Sequence, residues 1–133
     1  MDNNQELMAQ LQGLAPEVAA ALKPTPFLMP EFTYDVVSKL KVPGVETMNG
    51  PVVMVFPNVG ADLRIERLER AMGGGNVAHM MATLTVCIKS APSTWYELPD
   101  GVKEPVLALG KLPDDVVLAD LYLAFVEWQR SFR

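Results

Sequence analysis

The clearest pattern of hydrophobic and polar positions in this chain lies between residues 52 and 72. Residues 52–56 form a short apolar run between turn-forming residues, which predicts a buried strand. Apolar side chains then recur at helical spacing with charged ones opposite, which predicts a helix over 60–72. Asn58 is placed to cap this helix, Glu66 to pair with Arg70 one turn later, and glycines 73–75 to end it.

A second helix is predicted over 76–90, with Asn76 as its cap and Pro92 beyond its end. Its apolar stripe starts at Val77 and repeats at steps of three and four residues as far as Ile88. Leu84 and Ile88 also fit the alternation of a strand, but the length of the stripe favours a helix.

The N-terminal half predicts a small antiparallel sheet. Residues 32–42 alternate imperfectly and are rich in strand-forming types, which predicts one strand. Residues 45–48 and 52–56 flank Asn49 and Gly50, the strongest short-range signal for a β-hairpin. A sheet of two or three strands is marginal alone, so it must pack against the helices.

The C-terminal third predicts a short helix over 105–110 and a long one over 114–132, with Asp114 as the cap of the long helix. We therefore expect an α+β fold, a mostly helical single domain with a small antiparallel hairpin or sheet in its N-terminal half. Residues 1–31 form a separate N-terminal region, predicted as two short helices over 5–14 and 16–22 and a proline-rich linker. The compact domain is predicted over 32–133.

The linker contains three apolar residues in a row, Phe27, Leu28 and Met29. Either they lie on the domain's own core, or they form a docking segment for another chain. The methionines Met72, Met80 and Met81 are similarly open to two interpretations, as simple core or as an adaptable surface for a partner. Trp95 and Tyr96 are candidate interface anchors, because such residues dominate binding hot spots, or else Trp95 covers a buried Trp128.

Composition narrows the classes of function. The chain has 133 residues, of which 11 are Lys or Arg and 16 are Asp or Glu, giving a net charge of −5. The basic residues are scattered, which argues against a nucleic-acid surface. One cysteine excludes an internal disulfide and favours a reducing compartment. A signal peptide and a membrane span are both missing from the pattern, so we expect a cytoplasmic protein.

Candidate chemistry is sparse, and we expect a non-enzymatic protein without metal or cofactor. His79 is the only histidine and Cys87 the only cysteine, so a zinc site lacks ligands. Eight residues apart on one helix, the two side chains would lie roughly 12 Å apart along the axis, which excludes a dyad. Glycines 73–75 precede a helix but lack the lysine and hydroxyl of a phosphate-binding loop.

The run from Val52 to Asn58, followed by Ile65–Glu66–Arg67–Leu68 and a glycine-rich break, resembles the tail assembly chaperones of long-tailed, siphovirus-type bacteriophages. The resemblance continues through Ala82–Thr83–Leu84, the proline-bounded loop 91–95 and a last helix carrying Leu121, Tyr122, Trp128 and Phe132. It covers about residues 32–132 and leaves out the N-terminal 2–28.

The resemblance implies a non-catalytic protein that forms a homo-oligomer, binds the phage tape measure protein and recruits tail tube subunits. Such a chaperone works in the host cytoplasm and is expected to be missing from the mature virion. In this group a longer product often arises by translational frameshift. The alternative is a structural virion protein of the tail or neck, at the head-tail connection.

Overall fold

A computed structural model describes residues 27–133, so the two predicted N-terminal helices and the first part of the linker lie outside the described residues. In the described part, a small antiparallel sheet and three α-helices form one α+β domain, as predicted. The strands are β1 (Glu31–Val36), β2 (Gly50–Val55), β3 (Ile88–Ser90), β4 (Tyr96–Glu97) and β5 (Val106–Leu107). The helices are α1 (Val59–Ala71), α2 (Asn76–Cys87) and α3 (Asp115–Arg130).

The main sheet has the order β1-β2-β3, with both pairs antiparallel. β2 lies in the centre, and its side chains alternate between Val52 and Met54, which are fully buried, and half-buried neighbours. Phe32 and Tyr34 of β1 stand opposite Met54 and Val52 on the same face. That face packs on α2 and α3, and β4 and β5 form a separate two-stranded sheet.

The predicted hairpin between 45–48 and 52–56 is wrong. Val45–Met48 is a one-turn 3₁₀ helix entered through Gly44, whose φ of 84° suits glycine. The Thr47 hydroxyl donates to the Gly44 carbonyl at 2.7 Å and holds this turn. β2 pairs instead with β1, where Phe32 stands opposite Met54 and Tyr34 opposite Val52.

The first strand is also shorter than predicted, ending at Val36 rather than continuing to residue 42. Beyond it, the backbone N–H of Ser38 donates to Oδ1 of Asn49 at 2.7 Å, and the Ser38 hydroxyl donates to the Asp114 carboxylate at 2.5 Å. These bonds draw the chain out of the sheet and tie it to the N-terminus of α3.

The second helix ends at Cys87, so the prediction of a helix to residue 90 is wrong in its last turn. Ile88 instead pairs with Met54 and starts β3, which completes the sheet. The predicted cap is also corrected, since Asn76 is the first helical residue and Gly75 precedes it without a side-chain cap bond.

The other two helices begin as predicted. Oδ1 of Asn58 accepts from the Ala61 N–H at 2.8 Å, and Oδ1 of Asp114 accepts from Val116 and Val117. Glu66 and Arg70 pair across one turn of α1. The glycines 73–75 all have positive φ, which lets the chain reverse sharply so that α1 packs along α2.

The predicted helix over 105–110 is wrong. Val106–Leu107 is β5, which pairs with β4, and Leu109–Lys111 is a 3₁₀ turn that buries Leu109. The strand and the turn are each too short to produce a periodic hydrophobic pattern in the sequence. They lead the chain to the start of α3.

An aromatic cluster joins the end of α3 to the sheet. The ring centroid of Trp128 lies 5.3 Å from that of Phe32, 5.6 Å from that of Phe125 and 5.0 Å from that of Phe132. Phe56 extends the cluster, 5.5 Å from Phe132. Phe125 is fully buried, whereas Phe132 is 52% exposed, so the cluster runs from the core to the surface.

We predict that Leu121→Ala or Leu84→Ala lowers the free energy of unfolding by about 2–5 kcal/mol, because both side chains are fully buried and truncation leaves a cavity. The matched control is Leu123→Ala on the exposed side of α3, the helix that carries Leu121. It should change the free energy of unfolding by no more than roughly 0.5 kcal/mol. Urea unfolding followed by circular dichroism measures all three. Equal losses for Leu121 and Leu123 would contradict the orientation of α3.

Candidate interaction surfaces

The linker residues Phe27 and Leu28 are exposed, at 92% and 91% of their surface. The interpretation that they lie on the domain's own core is therefore wrong for these two, whereas Met29 is half-buried. A large apolar side chain left in water forgoes about 1.5–3 kcal/mol of burial free energy. Two neighbouring side chains of this kind mark a surface suited to a partner.

A wide groove of about 590 Å³ lies beside this segment and is lined mainly by apolar side chains. Phe56 and Pro57 come from the segment between β2 and α1, and Val59 is the first residue of α1. We call this the Phe27 groove, lined by Phe27, Met29, Phe56, Pro57, Asn58, Val59, Asp62 and Arg133. The aromatic cluster ends at this groove, because Phe56 belongs to both.

The three methionines do not form one exposed face. Met72 is 45% exposed at the end of α1, beside the glycine turn. Met80 and Met81 are half-buried and pack against the core. Met80 and Met81 therefore fit the interpretation as core residues, whereas Met72 is exposed and still fits a partner surface.

Trp95 is not a surface anchor, which corrects one of the candidate interaction residues. Its side chain is fully buried, and its Nε1 donates to the Met48 carbonyl at 2.9 Å. Tyr96 is half-buried in β4 and packs against the core. The alternative in which Trp95 covers a buried Trp128 also fails, since Trp95 is the fully buried one and Trp128 is only half-buried.

A second groove, of about 330 Å³, separates α1 from the end of α3. Its wall on α1 carries the acidic side chains Asp62, Glu66 and Glu69. Nδ1 of His79 lies 3.0 Å from Oε2 of Glu69, and its ring meets the edge of Tyr122 at 6.1 Å between centroids. Burial, and then the nearby Glu69 carboxylate, raise the pKa of Tyr122. His79 is exposed, as its helix-flank position predicts.

Among residues 27–133, His, Cys, Asp and Glu side chains nowhere gather in a group able to hold a metal ion. In the same residues, the helices are too short or too polar to cross a membrane. A scan of protein-family models and searches of curated proteins and of solved structures found no match to this chain.

Cys87 is buried at the end of α2 and is not poised for reaction. Burial, with a smaller contribution from the Asp62 carboxylate, raises the pKa of its thiol from 9.0 to about 12. The thiolate is the reactive form of cysteine, so the folded protein presents almost none near neutral pH.

We predict that iodoacetamide at about pH 8 alkylates Cys87 far more slowly in the folded protein than in urea, because only the unfolded thiol ionises there. Mass spectrometry of timed samples measures the labelling, and equal rates in both states would contradict the burial of the Cys87 thiol.

The raised pKa of Cys87 also makes the free energy of unfolding depend on pH. The contribution of the buried neutral thiol is complete below about pH 9 and is lost as pH rises towards about 12.

Proposed function

We propose that this chain is a tail assembly chaperone of a long-tailed bacteriophage, which binds the tape measure protein and recruits tail tube subunits. The observation that carries the proposal is the pairing of Phe27 and Leu28, both more than nine-tenths exposed, with the apolar groove beside them. A protein that holds a client soluble needs apolar surface of its own to cover the client's.

The shape of this surface supports binding of extended or helical client segments rather than a small ligand. The Phe27 groove is wide and open, and its apolar lining is contributed by the linker, the segment between β2 and α1, and the start of α1. Asp62 and Arg133 lie at its edge and offer one charge of each sign to polar groups of the client. Small-molecule sites by contrast enclose most of their ligand.

Repetition of such a surface explains how a small protein could serve a long client. One groove supplies only a weak contact, but identical subunits lined up along one client raise the effective concentration at each next site. The resemblance over residues 32–132, which include β2, α1 and α3, supports the same role independently of Phe27 and Leu28, which lie outside it.

We predict that co-expression with the phage tape measure protein keeps that client soluble and that the client and the tube protein co-purify with this chain. Phe27→Asp with Leu28→Asp should remove most of the effect, because both side chains point into water and the charges block apolar docking. The proportion of client in the soluble fraction is the measurement.

Leu98→Asp is the matched control, because Leu98 is an apolar residue 60% exposed elsewhere on the surface. It should leave client solubility unchanged, and thermal unfolding should show both variants folded. If the client is equally soluble with and without this chain and nothing co-purifies, the chaperone proposal fails.

A further inference from the structure

Helix α3 carries two apolar stripes rather than one. The inner stripe faces the core, where Val117, Leu121 and Phe125 are buried. Because a helix turns about 100° per residue, residues about 140–160° around the axis from the middle of the inner stripe lie on the opposite side of the helix. That outer side holds four apolar residues at steps of three, four and three, here called the outer stripe: Val116, Ala119, Leu123 and Val126.

The outer stripe is only partly buried by the rest of the described chain. Val116 and Leu123 are each 63% exposed, and Ala119 and Val126 are half-buried. Steps of three and four in alternation are the spacing of a coiled-coil seam, at which two helices pack side by side. A helix that needed only to cover its own core would carry polar residues at these positions. The surface therefore has the geometry to receive one further helix.

The charges beside the outer stripe are mainly acidic. Asp120 and Glu127 are exposed along one side of it. On the other side lie Tyr122 and Gln129, and Gln129 borders the groove whose α1 wall is acidic. Arg130 stands at the C-terminal end of the stripe. A partner helix that docks along the stripe thus meets the carboxylates of Asp120 and Glu127 on one flank and uncharged side chains on the other.

These charges decide between the possible occupants. A second copy of α3 packed antiparallel would bring Asp120 and Glu127 of both copies to the same side of the seam, where like charges repel. A copy packed parallel would face these carboxylates with Tyr122 and Gln129, which carry no positive charge. The first 26 residues of this chain contain Asp2, Glu6 and Glu17 against a single Lys23, so they offer little positive charge either. A helix flanked by lysine or arginine pairs instead with the acidic flank formed by Asp120 and Glu127.

We propose that the outer stripe of α3 docks one amphipathic helix of a partner protein, with apolar residues at coiled-coil spacing and lysine or arginine beside them. The stripe shares no residue with the Phe27 groove. The proposal therefore stands or falls separately from the identity of the client in tail assembly.

The test uses the full-length protein and two synthetic three-heptad peptides with leucine at the seam positions. One peptide carries lysine at the flanking positions and the other glutamate, and both carry a fluorophore for anisotropy titration. The lysine peptide should bind at least about tenfold more tightly than the glutamate peptide, with a preference that weakens as salt is raised.

Variants locate the binding on α3. Leu123→Asp should weaken the lysine peptide at least about tenfold, whereas the control Leu98→Asp should not, and circular dichroism should show both folded. The double variant Asp120→Lys with Glu127→Lys should shift the preference towards the glutamate peptide, which a merely sticky apolar surface would not do.

Three outcomes would overturn the proposal. The first is equal affinity for both peptides, or no binding of either. The second is lysine-peptide binding that Leu123→Asp leaves unchanged. The third is self-association of the protein in sedimentation velocity that Leu123→Asp abolishes, because the stripe would then be an interface between copies of this chain.

Discussion

The burial of one indole ring holds the irregular half of this structure in place. Trp95 is fully buried and donates from Nε1 to the Met48 carbonyl at 2.9 Å. Its own backbone accepts from the Ala108 N–H at 2.8 Å, and its N–H donates to the Pro92 carbonyl at 2.9 Å. Three stretches that lack long regular elements thus converge on a single residue. Because Met48 lies two residues before the start of β2, the same contact fixes the chain just ahead of the central strand.

The sequence predicts the elements that depend on local information. α1 and α3 follow from helical periodicity and from the caps Asn58 and Asp114, and all of these are confirmed. What fails depends on contacts distant in the chain. The Asn49–Gly50 signal loses to pairing of β2 with β1, and Ile88 leaves the helical pattern to pair with Met54. A local pattern cannot show which of two competing partners a strand will meet.

The candidate surfaces show the same limit. The sequence leaves open whether Phe27 and Leu28 pack on the core or stay exposed, because the composition of a segment does not show what lies next to it in the fold. The sequence wrongly indicates Trp95 as a surface residue, because the Met48 carbonyl that accepts from its Nε1–H lies 47 residues away in the chain. The inner stripe of α3 follows from helical spacing in the sequence, but only the fold shows that Val116 and Leu123 of the outer stripe stay exposed. The buried side chains form one hydrophobic core, and large apolar side chains outside it, such as Phe27 and Leu123, are exposed.

The most direct measurement of the proposed role is quantitative mass spectrometry of purified virions, compared with a lysate of infected cells, for the phage that is proposed to encode this chain. A chaperone acts during assembly and leaves the product. The account predicts that the chain is abundant in the lysate and missing from virions that contain the tape measure and tube proteins. A fixed number of copies in every virion would contradict it and would identify the chain as a structural protein of the tail or neck.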